Sequence, residues 1–122
     1  MTNSLYFDKV AFMLSDKSSI WKSSTAQQLV EALVDIDSVQ VMQNFLRDVM
    51  TEKEIIEVSA RLEAARMLTD GKRYTEITAK TQLSSKTVAR ISDWLQNGCG
   101  GYQAALLSVN AHHGHISPAS AD

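Results

Sequence analysis

The stretch YTEITAKTQLSSKTVARISDWL, residues 74–95, decides how the chain is read. Its apolar positions Ile77, Leu83, Val88 and Ile91 follow one another at intervals of six, five and three residues. A helix-turn-helix draws its core from such a series. Ile77 falls inside a first short helix over about 75–81, Leu83 just past a turn, and Val88 with Ile91 on the inner face of a second helix running from about Ser85 to Gln96. Ser84 or Ser85 is placed to cap that second helix, accepting from its free N–H groups. Trp94 and Leu95 are expected to bring its far end back to the core. Two positions depart from the usual pattern. Gln82 stands where the turn commonly takes glycine, and a left-handed backbone costs a non-glycine residue about 1 kcal/mol. Thr78 stands where a small alanine commonly lets the two helices approach.

The outward face of the second helix carries Ser85, Lys86, Thr87 and Arg90, with the small Ala89 between them. Arginine can fork onto guanine or clasp a phosphate, and short hydroxyls suit phosphates or base edges. The charge distribution points the same way. Residues 66–90 hold six basic side chains (Arg66, Lys72, Arg73, Lys80, Lys86, Arg90) against two acidic ones (Asp70, Glu76), a local +4. The remainder has six basic and twelve acidic residues, a net −6, so the overall −2 hides a basic module on an acidic body. Affinity for phosphate follows the field at the contact surface rather than the overall sum. A solvated charged face would have the same composition, so charge alone leaves both readings open.

Working outward, the chain reads helical nearly throughout. Ser24 and Thr25 are candidate caps for a helix carrying Leu29, Leu33 and Ile36, interrupted between Asp35 and Ser38. A second apolar series follows in Val39, Met42, Phe45, Leu46 and Val49. Thr51 and Glu54 match the S/T-x-x-E capping box, opening a helix through Ile55, Val58, Leu62, Ala65 and Leu68 that Gly71 can close. After the second helix of the pair, NGCGG breaks the chain, and YQAALLSV forms a last apolar helix. The expected organisation is an N-terminal segment over 1–22, a helical domain over 23–107 containing the helix-turn-helix 74–95, and a flexible tail over 108–122. The helices before residue 70 are too apolar for a small monomer to cover, which favours a homodimer formed through them.

At 122 residues, one domain with one modest core is expected. The single cysteine, Cys99, excludes an internal disulfide framework and fits a reducing cytoplasm. No apolar run approaches the roughly 20 residues of a membrane span, and LYFDKVAFML, broken by Asp8 and Lys9, lacks the basic start of a signal peptide. No nucleophile–base pairing or phosphate loop on a strand points to an enzyme. His112, His113 and His115 form a loose metal-capturing tail at most.

FLRDVMTEKEI, ARMLTDGKRYTEITAKTQLSSKTVARI and WLQNGCGGY occur in that order, and over residues 25–107 the chain resembles the Trp-repressor-like family of small bacterial proteins. It resembles in particular the branch with a glycine- and tyrosine-containing segment after the second helix of the pair. The resemblance implies an all-α fold, an intertwined homodimer with paired helix-turn-helix heads, and a transcription regulator, in sense a repressor, acting on a double-stranded DNA operator. Ser84, Ser85, Lys86, Thr87 and Arg90 would then face DNA, with Lys72, Arg73 and Lys80 holding phosphates. In the Trp repressor, two arginines flank a tryptophan pocket, and Arg61 and Arg90 match them. Ile91 stands where the tryptophan-binding protein has glycine and would fill ring space, so no cofactor is expected and the effector is left unassigned. The same face also suits a helical dimeric protein-interaction module that has lost DNA binding.

Overall fold

The structure is a computed structural model that describes residues 19–120, with side chains described over 19–110. Among these residues there are helices and no strands, as the three- and four-residue spacing of the apolar positions predicts. A 3-10 turn, Ile20–Lys22, precedes α1 (Ser24–Asp35), α2 (Val39–Val49), α3 (Glu52–Thr69), α4 (Tyr74–Thr81), α5 (Ser85–Asn97) and α6 (Gly101–Ser120). The chain divides between Val49 and Met50 into two compact units. No helix among the described residues is long and apolar enough to cross a membrane.

In the first unit, the cap of α1 is Ser23 rather than Ser24 or Thr25. Ser23 has the extended backbone an N-cap needs, and its Oγ accepts the Ala26 N–H at 3.3 Å. Ser38 caps α2 in the same way, its Oγ accepting the Val41 N–H at 3.2 Å. Neither α1 nor α2 contains a fully buried residue, and Val34 and Val39 are each 75% exposed in the chain alone.

The second unit opens on the capping box expected at Thr51. Glu54 N–H donates to Thr51 Oγ1 at 3.1 Å, and Thr51 N–H donates to Glu54 Oε1 at 2.8 Å. Helix α3 closes at Gly71, whose φ of +80° lies in the left-handed region. Gly71 N–H donates to the Leu68 carbonyl at 3.0 Å and Lys72 N–H to the Met67 carbonyl at 2.9 Å, the two nested bonds of a Schellman motif. A Cβ at Gly71 meets nothing within 4 Å, so the backbone angle is the whole difficulty. Gly71→Ala is expected to cost about 1 kcal/mol, read as a lower midpoint in urea unfolding. An unchanged midpoint would mean the turn relaxes without loss.

The core joins α3, α4, α5 and α6. Ala64, Ala65, Ile77, Val88 and Ile91 have no exposure, Met67 and Leu106 have little, and Leu62, Leu68, Leu83, Leu95 and Tyr102 pack around them. Ala64 and Ala65 on α3 are the small residues of this core. Thr78 in α4 is half-buried, its hydroxyl donating to the Thr75 carbonyl at 3.2 Å. Between α5 and α6 the glycines close the chain. A Cβ at Gly98 would stand 2.4 Å from the Trp94 carbonyl oxygen, and Gly100 has φ +83°. Trp94 itself is 36% exposed and does not return to the core; Leu95 alone does so.

Helix α6 runs to Ser120, past the boundary at 107 drawn from the sequence. Once a helix has begun, its propagation needs no apolar face of its own. Residues 1–18 of the N-terminal segment lie outside the described residues, as do the side chains of His112, His113 and His115.

Candidate nucleic-acid interface

Helices α4 and α5 pack on each other and on α3, forming the head that the series Ile77, Leu83, Val88, Ile91 predicts. The turn between them is built on Gln82, the one described non-glycine residue with positive φ, at 65°. Its cost is partly offset locally, since Gln82 Nε2 donates to the Ala79 carbonyl at 2.8 Å. Ser84 then caps α5, its Oγ accepting the Thr87 N–H at 3.1 Å and lying 3.0 Å from Thr87 Oγ1.

That geometry sorts the expected residues into two groups. Ser84 and Thr87 are occupied with each other in starting the helix, and Thr87 is half-buried, so the outward stripe runs through Ser85, Lys86, Ala89 and Arg90. Positions 85, 86, 89 and 90 lie on one side of a helix of 3.6 residues per turn, opposite Val88 and Ile91. Among the described residues, Ser85, Lys86 and Arg90 make no side-chain hydrogen bond or ion pair with the chain, so their donors face solvent. Asp93, not singled out in the sequence, is the next exposed residue of the stripe and ends its basic part. Asn97 Nδ2 holds it at 2.9 Å.

Lys72 and Arg73 lie in the exposed link before α4, and neither side chain forms an ion pair among the described residues. Arg73 donates its backbone N–H to Glu76 Oε1 at 3.3 Å, which fixes the start of α4. Lys80 is different. Its Nζ lies 3.5 Å from Glu63 Oε2 on α3, where Glu63 already accepts from Arg66 Nε at 3.0 Å and from Arg66 Nη2. Arg66 Nη1 also donates to Asp70 Oδ2 at 2.9 Å. The hydrogen bonds from Arg66 hold the Glu63 carboxyl below the usual carboxylate range, with burial opposing them and the positive charges of Arg66 and Lys80 adding to them. A lowered carboxyl contributes stability above its unfolded value and loses it as pH falls through the lowered one. The contribution is therefore held at neutral pH and lost in acid.

Arg61 and Arg90 are both exposed, and Ile91, beside Arg90, is wholly buried against Ala64 and Ala65. Arg61 makes no ion pair with Glu57 among the described residues; its charge instead acts on Tyr102, whose hydroxyl is pushed up by burial and drawn partly back by Arg61. A groove of about 260 Å³ does open between α3 and α6, but its walls are Ser59, Leu62, Glu63, Arg66, Leu106, Val109 and Asn110, without Arg61 or Arg90. Cys99 is exposed and free.

The sequence profile of the Trp repressor protein family matches residues 24–110, taking in α1 to α5 and the first half of α6. The chain belongs to the Trp repressor family. Its all-α fold is the Trp-repressor-like one. The Bacillus subtilis protein YerC is 33% identical over 82 residues, covering 67% of this chain and 79% of that protein. A TrpR-like protein from Eubacterium eligens superposes with a TM-score of 0.70 at 30% identity, covering 75% of this chain and 94% of its own. A Staphylococcus aureus structure described as a candidate Trp repressor gives the same TM-score at 26% identity, over 76% of this chain and 93% of the other. Both family and fold agree with the resemblance carried by the three sequence blocks.

Proposed function

We propose that this Trp-repressor family member is a homodimeric, sequence-specific DNA-binding regulator of transcription, most simply a repressor, whose α5 enters the major groove. The observation that carries the reading is the α5 stripe. Lys86 and Arg90 are exposed and uncommitted, at the N-terminal half of a helix whose opposite side is wholly committed to the core. Side chains placed there are free to reach base edges or phosphates. The charge of Lys72 and Arg73 at the start of α4 extends the basic surface along the same head.

Dimerisation is supported by apolar surface that one chain leaves open. Within the first unit, Val34, Val39 and Val49 are more than half exposed; within the second, Ile56, Val58 and Leu107 are. Water-exposed aliphatic groups in this number are what a second copy would cover, at roughly 25 cal/mol per Å² of apolar area buried. Two heads related by a twofold axis would read half-sites about 34 Å apart.

The test is binding of the purified protein to genomic DNA fragments at several salt concentrations. A protected site with two symmetric half-sites is expected. Four uncommitted cations per head (Lys72, Arg73, Lys86, Arg90) give a slope of log affinity on log salt of about −7 for a dimer. A folded dimer without salt-dependent affinity would instead support a protein-interaction module, the reading that the acidic body and Asp93 at the edge of the stripe favour.

A further inference from the structure

Glu63 is the acidic residue that the fold carries into the basic module. It belongs to α3, yet its carboxylate receives the Arg66 fork and the Lys80 ammonium together. A guanidinium fork with a second cation on the same oxygen is the arrangement proteins use to hold phosphate. Here a carboxylate of the same chain fills it. We propose that Glu63 is a built-in competitor for DNA phosphate at Lys80 and so sets the affinity and salt dependence of the head. This inference rests on the DNA-binding reading above.

The charges decide what Lys80 contributes. Glu63, Arg66, Asp70 and Lys80 form one connected group of two cations and two anions, with no net charge. A lysine already neutralised within its own chain releases no phosphate counterion until that pairing is exchanged. Lys72, Arg73, Lys86 and Arg90 have no such partner among the described residues. The exchange is feasible because the Lys80 side chain is 62% exposed and the Glu63 side chain 29%. Solvent therefore reaches both ends of the pair and weakens it. A phosphate that captures Lys80 leaves the Glu63 carboxylate facing it within the screening length of about 8 Å at physiological salt, a like-charge contact that persists in the complex. Glu63 thus acts twice against binding: it holds Lys80 in the free protein and repels the phosphate in the bound one.

The experiment is a cycle of wild type, Glu63→Gln, Lys80→Gln and the double variant, binding a short duplex of mixed sequence over a range of salt. Circular dichroism checks that each variant keeps its helices. Glu63→Gln is expected to tighten binding about three- to tenfold and to steepen the salt slope by about 2 for a dimer, one restored lysine per head. In the Lys80→Gln background the same substitution is expected to change affinity less than about twofold. Equal tightening in both backgrounds would overturn the proposal, since Glu63 would then act through the general field. Unchanged or weaker binding by Glu63→Gln would overturn it too, leaving Glu63 as a support for α4. A second readout needs no substitution. The Glu63 carboxyl resonance in the wild-type protein, titrated with and without DNA, is expected to move towards its ordinary acidity as Lys80 leaves; an unmoved resonance on saturation refutes the exchange. Absence of salt-dependent binding by the wild type would remove the DNA reading along with the inference, whereas binding with an additive cycle removes the inference alone.

Discussion

Arg90→Ala is expected to weaken binding to a cognate site by about 1–3 kcal/mol, roughly fivefold to 150-fold, while leaving thermal unfolding unchanged. The two halves of that expectation come from the same observation. The Arg90 side chain is exposed and bonded to nothing else among the described residues, so its removal takes nothing from the folded chain. What is lost belongs to the complex. If Arg90 forks onto a base, the loss falls on the cognate site and preference relaxes at one base pair. Lys72→Ala is the contrasting substitution. It should weaken cognate and scrambled duplexes alike and flatten the salt slope by about 1 for each phosphate contact removed. Equal losses on both duplexes for Arg90→Ala would reassign Arg90 to the phosphates.

Ile77→Ala is expected to cost stability instead, by about 2–5 kcal/mol in urea unfolding. Ile77 has no exposure and belongs to the core cluster with Ala64, Ala65, Met67, Val88, Ile91 and Leu106. Where in that range the loss falls reports how far Met67 and the leucines of the core move into the void. For a domain whose total stability is about 5–15 kcal/mol, the loss is a large share. Loss of DNA binding by this variant should track its unfolded fraction. A loss well under 1 kcal/mol would mean that α4 repacks on α3, and the head would be softer than its burial implies.

Most of what places the head is local and was legible for that reason. The Thr51–Glu54 box, Gly71 at the end of α3 and the left-handed Gln82 each depend on residues within a few positions, and the intervals from Ile77 to Ile91 gave the core of the helix pair. Ser23 displaced Ser24 and Thr25 as the cap of α1 because three consecutive hydroxyl residues offer the same chemistry, and only backbone angles choose among them. The 3.0 Å approach of the Thr87 and Ser84 hydroxyls had no signal in the sequence, since a helix-start threonine can face outward or turn to its cap. Trp94 was expected in the core because it is large and aromatic, yet its neighbour Leu95 takes the inward position. The pairing of Lys80 with Glu63 had no sequence signal, since it depends on α4 lying across α3. That one contact changes the standing of Lys80 from a free cation to a committed one.

The two sides of α5 have different fates under substitution. Val88 and Ile91 are answerable to the core, whereas positions 85, 86, 89 and 90 answer to nothing else in the chain. A library randomised at those four positions is thus a set of different surfaces displayed on an unchanged scaffold. Drift at these sites can rewrite the partner preference of a descendant while leaving its foldability intact, so lineages with the same architecture are free to diverge in what they recognise.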